Sequence, residues 1–198
     1  MSVLDLRIWS YATLMADVEK PFEPVISDQE SVELAWVAPD DVEGLPLHPA
    51  FAQAWQRLRP LLQIRPALVV DAANVVGAVP DGWWKDRAQA AESLLASLAG
   101  LGRSGIPGTV LGLPEDLWYP EITVVLEGQA RQAQGGGGVE IIRAAGSGDD
   151  AVAAAVQRLE SERRAVSVVT SDRALADTCR NLGAHVTGAG DFRALMDS

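Results

Sequence analysis

The 198-residue sequence has one cysteine, Cys179, and two histidines, His48 and His185, far apart in the chain. A single cysteine excludes a disulfide framework and a cysteine-rich zinc site. Two distant histidines leave little material for a histidine metal centre or a Ser-His-Asp relay. No apolar run is long enough to span a membrane. Residues 1–20 carry Asp5, Asp17 and Glu19 and lack the basic segment of a signal peptide. A cytoplasmic protein is the expectation. Positive charge is also short, with 16 Lys and Arg against 27 Asp and Glu, for a net −11. Divided at Pro66, the first part holds 10 acids and 5 bases and the second 17 and 11. Neither part suits broad, non-specific binding of nucleic acid. A nucleic-acid enzyme that works through divalent cations stays open, because the ions supply the positive charge.

What is present is a globular composition, 48% hydrophobic and 22% charged. The length allows one domain, or one domain with an appendage. The organisation changes at Arg65-Pro66, which sets expected domains of 1–65 and 66–198. In the first, residues 6–17 read as a strand with Ile8, Trp9, Tyr11, Thr13 and Met15. After a Pro- and acid-rich loop, Val32, Leu34 and Trp36 alternate with Glu33, Ala35 and Val37, the period of a half-buried strand. Phe51, Trp55, Leu58 and Leu62 then mark an amphipathic helix. A hairpin and one helix result. Alone they are marginal in water, and the hairpin's outer edge offers unpaired backbone groups. A homodimer through this N-terminal part is therefore expected.

From Pro66 the pattern alternates. Apolar strands are expected at 67–71, 122–126, 139–142, 166–170 and 184–187. Helices are expected at 85–101, 149–164, 174–182 and 192–196, and a mobile glycine tract at 135–138. Near-continuous apolar strands between helices imply a parallel sheet covered on both faces, an α/β fold. Right-handed crossovers give the strand order 3-2-1-4-5, with the first and fourth strands adjacent at the switch point.

Ligands of such sheets bind at the carboxyl ends of the strands. Here those ends carry Asp71 and Asn74, then Asp149 and Asp150, then Ser171, Asp172 and Arg173. Packed carboxylates repel one another, and a divalent cation relieves the repulsion. Hard oxygen donors without His or Cys select Mg²⁺ or Mn²⁺, ions suited to phosphodiester hydrolysis. The plainer reading makes Asp149, Asp150, Ser171 and Asp172 helix caps. Asp71 resists that reading, because no helix is expected to start directly after it. Asn74 is read as orienting Asp71 or a water, or as a turn residue. Weaker candidates are Asp86, Arg87, Glu92 and Glu127, the stacking pair Trp83-Trp84, and Asp191 as an N-cap.

The series Val70-Asp71-Ala72-Ala73-Asn74-Val75-Val76, Arg87, Thr123-Val124-Val125-Leu126-Glu127-Gly128, Gly148-Asp149-Asp150 and Val168-Val169-Thr170-Ser171-Asp172-Arg173 resembles the NYN domain. This belongs to the PIN-like ribonuclease superfamily, here in its bacterial YacP-like branch, and the likeness covers residues 66–198. The resemblance implies a three-layer fold with a five-stranded parallel sheet and a metal-dependent ribonuclease acting on RNA. It also implies metal ligands at Asp71, at Asp149 or Asp150, and at Asp172. Two departures stand out. Glu127 replaces an Asp of a related pattern, and the glycine tract shortens the helix between the second and third strands.

Residues 1–65 resemble the C-terminal half of a Nudix hydrolase. The likeness rests on residues 9–18, Glu30-Ser31-Val32-Glu33 with Trp36-Val37, and Leu45-Pro46-Leu47-His48-Pro49-Ala50-Phe51. The Nudix box, Gly-x5-Glu-x7-Arg-Glu-x2-Glu-Glu, is absent from the chain. Three functions therefore compete: a metal-dependent ribonuclease, a Nudix-type nucleotide diphosphate hydrolase, and a non-catalytic PIN-like interaction module.

Overall fold

A computed structural model describes residues 2–5, 10–78 and 86–196. Trp9, the pair Trp83-Trp84 and the first residue of the helix expected at 85–101 lie outside them. The chain forms two compact units, one of residues 14–64 and one of residues 1–13 together with 65–198.

The larger unit contains a five-stranded parallel sheet. Its strands are β3 (Pro66–Asp71), β6 (Glu121–Leu126), β7 (Glu140–Arg143), β8 (Ala165–Val169) and β9 (His185–Thr187), in the order β7-β6-β3-β8-β9. This is the expected order 3-2-1-4-5. In the middle strand Ala67, Leu68, Val69 and Val70 are all buried. Alternation of side chains sends them to opposite faces. Ala67 and Val69 join a core with Val152, Val156 and Leu159 of α5 (Gly148–Ser161) and Leu175 and Cys179 of α6 (Arg173–Asn181). The opposite face is closed by α2 (Ala72–Gly77), α3 (Arg87–Ser104) and α7 (Ala189–Met196), which pack on one another. Their buried residues include Val75, Leu94, Leu95, Leu98 and Phe192. The result is a three-layer α/β fold.

Capping explains where the helices begin. Asp86, Ser147 and Asp172 accept the backbone N–H of Gln89, Asp150 and Leu175 at 2.9, 3.3 and 2.9 Å. Helix α3 stops at Gly105, whose φ of +90° favours glycine. An insertion unseen in the sequence pattern follows: β4 (Ile106–Pro107), α4 (Gly108–Leu111) and β5 (Leu117–Trp118). It is tied to the sheet by Ser167 Oγ, which donates to Leu111 O at 2.8 Å, and Thr187 Oγ1, which donates to Val110 O at 2.7 Å. Between β6 and β7 there is only a 3₁₀ turn, Gly128–Gln132, as the glycine tract implied.

On β7, Glu140 Oε2 accepts from Thr123 Oγ1 and from Arg158 Nη2, both at 2.8 Å. The Thr123 hydroxyl, helped by Arg158 and opposed by burial, holds the Glu140 carboxyl below its ordinary 4.5. A depressed carboxylate contributes stability above that ordinary value, and the contribution disappears as pH falls through the lowered one. Glu140→Gln is expected to lose about 0.5–1 kcal/mol at neutral pH, since the pair is half-exposed. The loss should vanish in strong acid. Denaturant titrations of both proteins at the two pH values check this.

The N-terminal elements differ from the expectation. The hairpin is β1 (Ser2–Asp5) paired antiparallel with β2 (Ser10–Thr13), register Ser2↔Thr13 to Asp5↔Ser10. It does not join residues 6–17 to 32–37. Closing the shorter loop costs less entropy than closing one through the Pro-rich segment. In the unit of residues 14–64, positions 32–37 form no strand. Trp36 instead stacks edge-on against Phe22, centroids 5.3 Å apart, and donates Nε1–H to Phe22 O at 3.0 Å. Asp28 folds the chain back by accepting the N–H groups of Glu30 and Ser31 at 2.8 and 2.7 Å. Val32 is 92% exposed, so the period-two pattern buries no face. The expected helix is present as α1 (Pro49–Leu61), capped by His48, with Trp55, Leu58 and Leu61 buried. Among the described residues no helix is long and apolar enough to cross a membrane.

Candidate active site

The carboxyl ends of β3 and β8 are adjacent, because Val70 pairs with Val169. The next residues on the two strands are Asp71 and Thr170, 7% and 2% exposed. Asp71 Oδ2 accepts from Asn74 Nδ2 at 2.6 Å and from Thr170 Oγ1 at 3.0 Å. Its Oδ1 accepts from Asn74 N at 3.2 Å. That last bond caps α2, which starts at Ala72. The expectation that no helix follows Asp71 directly is thus corrected. The six residues Ala72–Gly77 are too short to show a hydrophobic period. A buried carboxylate that accepts from three donors is fixed in place.

Thr170 links the two strand ends. Its hydroxyl donates to Asp71 and accepts from Asp172 N at 3.2 Å. Asp172 in turn uses Oδ1 to cap α6. Asn74 Oδ1 accepts from Ser171 N at 3.3 Å, and Ser171 Oγ accepts from Ala189 N at 3.0 Å, where α7 begins. Asp71, Asn74, Thr170, Ser171 and Asp172 therefore form one continuous hydrogen-bonded chain across β3, α2 and the turn between β8 and α6. Thr170 is the member that residue-type reasoning passed over. Its signal was its place at the end of an apolar strand run, directly before the acid-bearing turn Ser171-Asp172.

Asp149 and Asp150 stand in the first turn of α5, and Ser147, not either Asp, is the cap. The Asp149 carboxyl is pushed above its ordinary value of 3.8 by partial burial first, then by the negative charges of Asp172, Asp71, Glu127 and Asp150. Asp149 thus senses four other acids at this edge of the sheet. Glu127 is fixed as well: its Oε2 accepts from Gly148 N at 3.0 Å. A side chain at Gly148 would press into that carboxylate, with a Cβ 2.5 Å from Oε2. Glycine here permits the close approach of β6's end to the start of α5.

Other candidates sort as follows. An Arg87 guanidinium nitrogen lies 4.0 Å from the position a Cβ would take on Gly128, at the end of β6, so Arg87 borders the same edge. Glu92 is turned to other work, accepting from Gln134 N at 2.9 Å. Asp86 caps α3. Asp191 sits inside the first turn of α7 rather than before it. Arg173 lines a cleft beside Thr170, Ser171 and Asp172.

The donors suit a hard divalent cation in kind: they are all carboxylate or hydroxyl oxygen, and the repulsion that raises Asp149 is what a cation would relieve. In spacing they are looser. Among the described residues no three His, Cys, Asp or Glu side chains are gathered to hold one ion between them. Magnesium accepts such an arrangement, because it keeps several waters and is held by one or two carboxylates together with substrate phosphate.

No family model matches the chain. A stretch of 51 residues, 26% of the chain, is 51% identical to proteins from two strains of Mycobacterium tuberculosis that bear the name "Putative 8-oxo-dGTP diphosphatase 3". The stretch is 23% of their length, so the chain spans about a quarter of these curated relatives. Among solved structures, Rae1 (YacP) from Bacillus subtilis superposes with a TM-score of 0.47 at 18% identity, over 66% of this chain and 74% of that one.

Proposed function

We infer that this chain is a metal-dependent hydrolase of RNA phosphodiesters, acting at the acidic edge where β3, β6 and β8 end. The observation that carries the reading is Asp71: a buried, triply hydrogen-bonded carboxylate tied through Thr170 to Asp172 and repelling Asp149. Asp71, Asp149, Asp150 and Asp172 are the acids that would supply the one or two carboxylates holding Mg²⁺ or Mn²⁺ together with substrate phosphate, with Glu127 bordering them. When bound, the ion supplies charge stabilisation at the phosphoryl group and a more acidic water. Asn74 and Ser171 keep Asp71 and the Asp172 turn in register. Arg87 and Arg173 offer positive charge to the substrate's phosphates. The NYN-like motif series of residues 66–198 supports the same reading, with single-stranded RNA as substrate and the cytoplasm as its place of action. The test is cleavage of end-labelled single-stranded RNA by the purified chain. Cleavage is expected with Mn²⁺ or Mg²⁺ and none in EDTA. No cleavage with either ion overturns the reading in favour of a non-catalytic module.

One observation favours a second reading. The 51-residue identity with proteins named as diphosphatases fits the Nudix-like character of residues 1–65. Release of diphosphate or monophosphate from nucleotides would support it, against the missing Nudix box. Homodimerisation also remains a proposal. Its support is now the two-stranded sheet β1-β2, with no third strand among the described residues, and exposed Phe22, Val25 and Trp36. Sedimentation at tens of micromolar, a working range for weak pairs, is expected to give a dimer. A monomer there ends the idea.

A further inference from the structure

Beside the acidic edge lies a cleft of about 340 Å³. That is at the small end of the range for ligand clefts. Thr170, Ser171 and Asp172 form one wall, so the cleft opens onto the candidate active site. The second wall is α6. Arg173, Ala176, Asp177 and Arg180 are spaced i, i+3, i+4 and i+7 and share one face of that helix. Val186 and Gly188 close the far side.

The cleft is less acidic than the molecule around it. The chain carries −11 overall, whereas Arg173 and Arg180 line the cleft beside Asp172 and Asp177 and offset their charge. Arg180 is steadied by Asp177 Oδ1 at 3.0 Å. Arg173 has no hydrogen-bond or ion-pair partner among the described residues. At 1.5 Å rise per residue the two stand roughly 10 Å apart along the helix. The small side chain of Ala176 between them leaves the space that the cleft occupies.

We propose that this cleft is the subsite for the nucleotide unit flanking the scissile phosphodiester, with Arg173 gripping its phosphate and Arg180 continuing the track along the strand. The proposal rests on the ribonuclease reading and adds to it a direction of substrate entry. A guanidinium recognises phosphate oxygens in its plane. Asp172 is shared by both sites, so a strand with one phosphate at Arg173 passes its neighbouring phosphate over the acids. An acidic protein needs such a local cation, because long-range attraction of RNA is lacking. Arg173 is here a binding residue for substrate and takes no part in bond cleavage.

The test uses the full chain and an end-labelled oligouridylate. In steady-state cleavage, Arg173→Ala is expected to raise KM about fivefold with kcat nearly unchanged. Arg173→Lys should recover most of the loss, as a point charge still attracts phosphate. In an Asp71→Asn background, which binds without cutting, fluorescence anisotropy should show the same weakening. There the slope of log affinity against log salt should fall by about 0.7, the value for one phosphate contact on a single strand. Arg103→Ala, an exposed base in the last turn of α3, should change neither. If Arg173→Ala leaves KM and salt slope alone while the chain still cuts, the subsite is wrong and the ribonuclease reading stands. If Arg103→Ala weakens binding equally, the effect is general charge and the subsite is wrong. If the unaltered chain neither binds nor cuts the oligonucleotide, both readings fall together.

Discussion

Asp71→Asn is expected to remove RNA cleavage, by at least about 10²- to 10³-fold, in a protein that still folds. The fold survives for a local reason. Asparagine caps helices as well as aspartate does, so the bond from Asn74 N is kept. The amide then turns its NH₂ toward Asn74 Nδ2 and Thr170 Oγ1; the hydroxyl can rotate to accept, the Asn74 amide cannot, and that contact is lost, at about 1–2 kcal/mol. Core strands on both sides of position 71 are untouched, and Val70 and Ala72 remain buried. Catalysis is another matter. The negative charge at the strand end is what attracts a divalent cation, and metal-supplied charge stabilisation is worth several kcal/mol in the transition state. Removing that charge also relieves Asp149, which Asp71 repels. The remaining acids are thereby left less demanding of a cation. Circular dichroism and a melting curve should match the parent within a few degrees, beside a cleavage assay in Mn²⁺. Parent-like cleavage by Asp71→Asn would mean a contaminating nuclease or a different site. Nucleotide diphosphate hydrolysis retained by Asp71→Asn, with RNA left untouched by either protein, would point to the Nudix-like reading.

The sequence pattern reveals the sheet because each strand repeats the same grammar. An apolar run such as Ala67-Leu68-Val69-Val70 ends in an acid, and a helix follows. Burial on both faces leaves no freedom for another arrangement of such runs, and crossover handedness then fixes the order. The gathering of the strand-end residues was legible to the same extent: Asp71, Asn74, Ser171 and Asp172 are joined by hydrogen bonds, directly or through Thr170. The capping of α2 by Asp71 was not legible, because six residues hold less than two turns of period. Nor was the β4-α4-β5 insertion, whose shape depends on close approach. A Cβ on Gly108 would run into the backbone carbonyls of Leu113 and Glu115, a fold-back within the insertion that no apolar period announces. The alternation at residues 32–37 misled for the opposite reason. A period of two marks a strand only where something covers one face, and here Trp36 turns to Phe22 while Val32 faces solvent.

Thr170→Val should be the most informative change that leaves every charge in place. Valine has nearly the same shape, so the buried volume at the end of β8 is kept. What disappears is the hydroxyl, and with it two bonds at once: the donation to Asp71 Oδ2 and the acceptance from Asp172 N. Both groups are then desolvated without a partner on that side. A stranded buried polar group costs about 1–3 kcal/mol, and the Thr170–Asp71 contact is buried, so a loss of about 2 kcal/mol in folding stability is expected. The catalytic consequence follows from position. Asp71 keeps its Asn74 contacts and Asp172 keeps its cap on α6, but the two strand ends are then linked by side chain only through Asn74 Oδ1, which accepts from Ser171 N at 3.3 Å, and the direct tie from Asp71 to the Asp172 turn is gone. Cleavage should fall about 30-fold, the equivalent of about 2 kcal/mol, chiefly in kcat, because no group that binds the substrate's phosphates has been removed. Thr170→Ser restores the hydroxyl and should restore both stability and rate to within a few-fold, losing only a buried methyl. A purely structural role for Thr170 would give the stability loss with kcat unchanged in the folded fraction. That result would show that Asp71 and Asp172 do not act as a coupled pair.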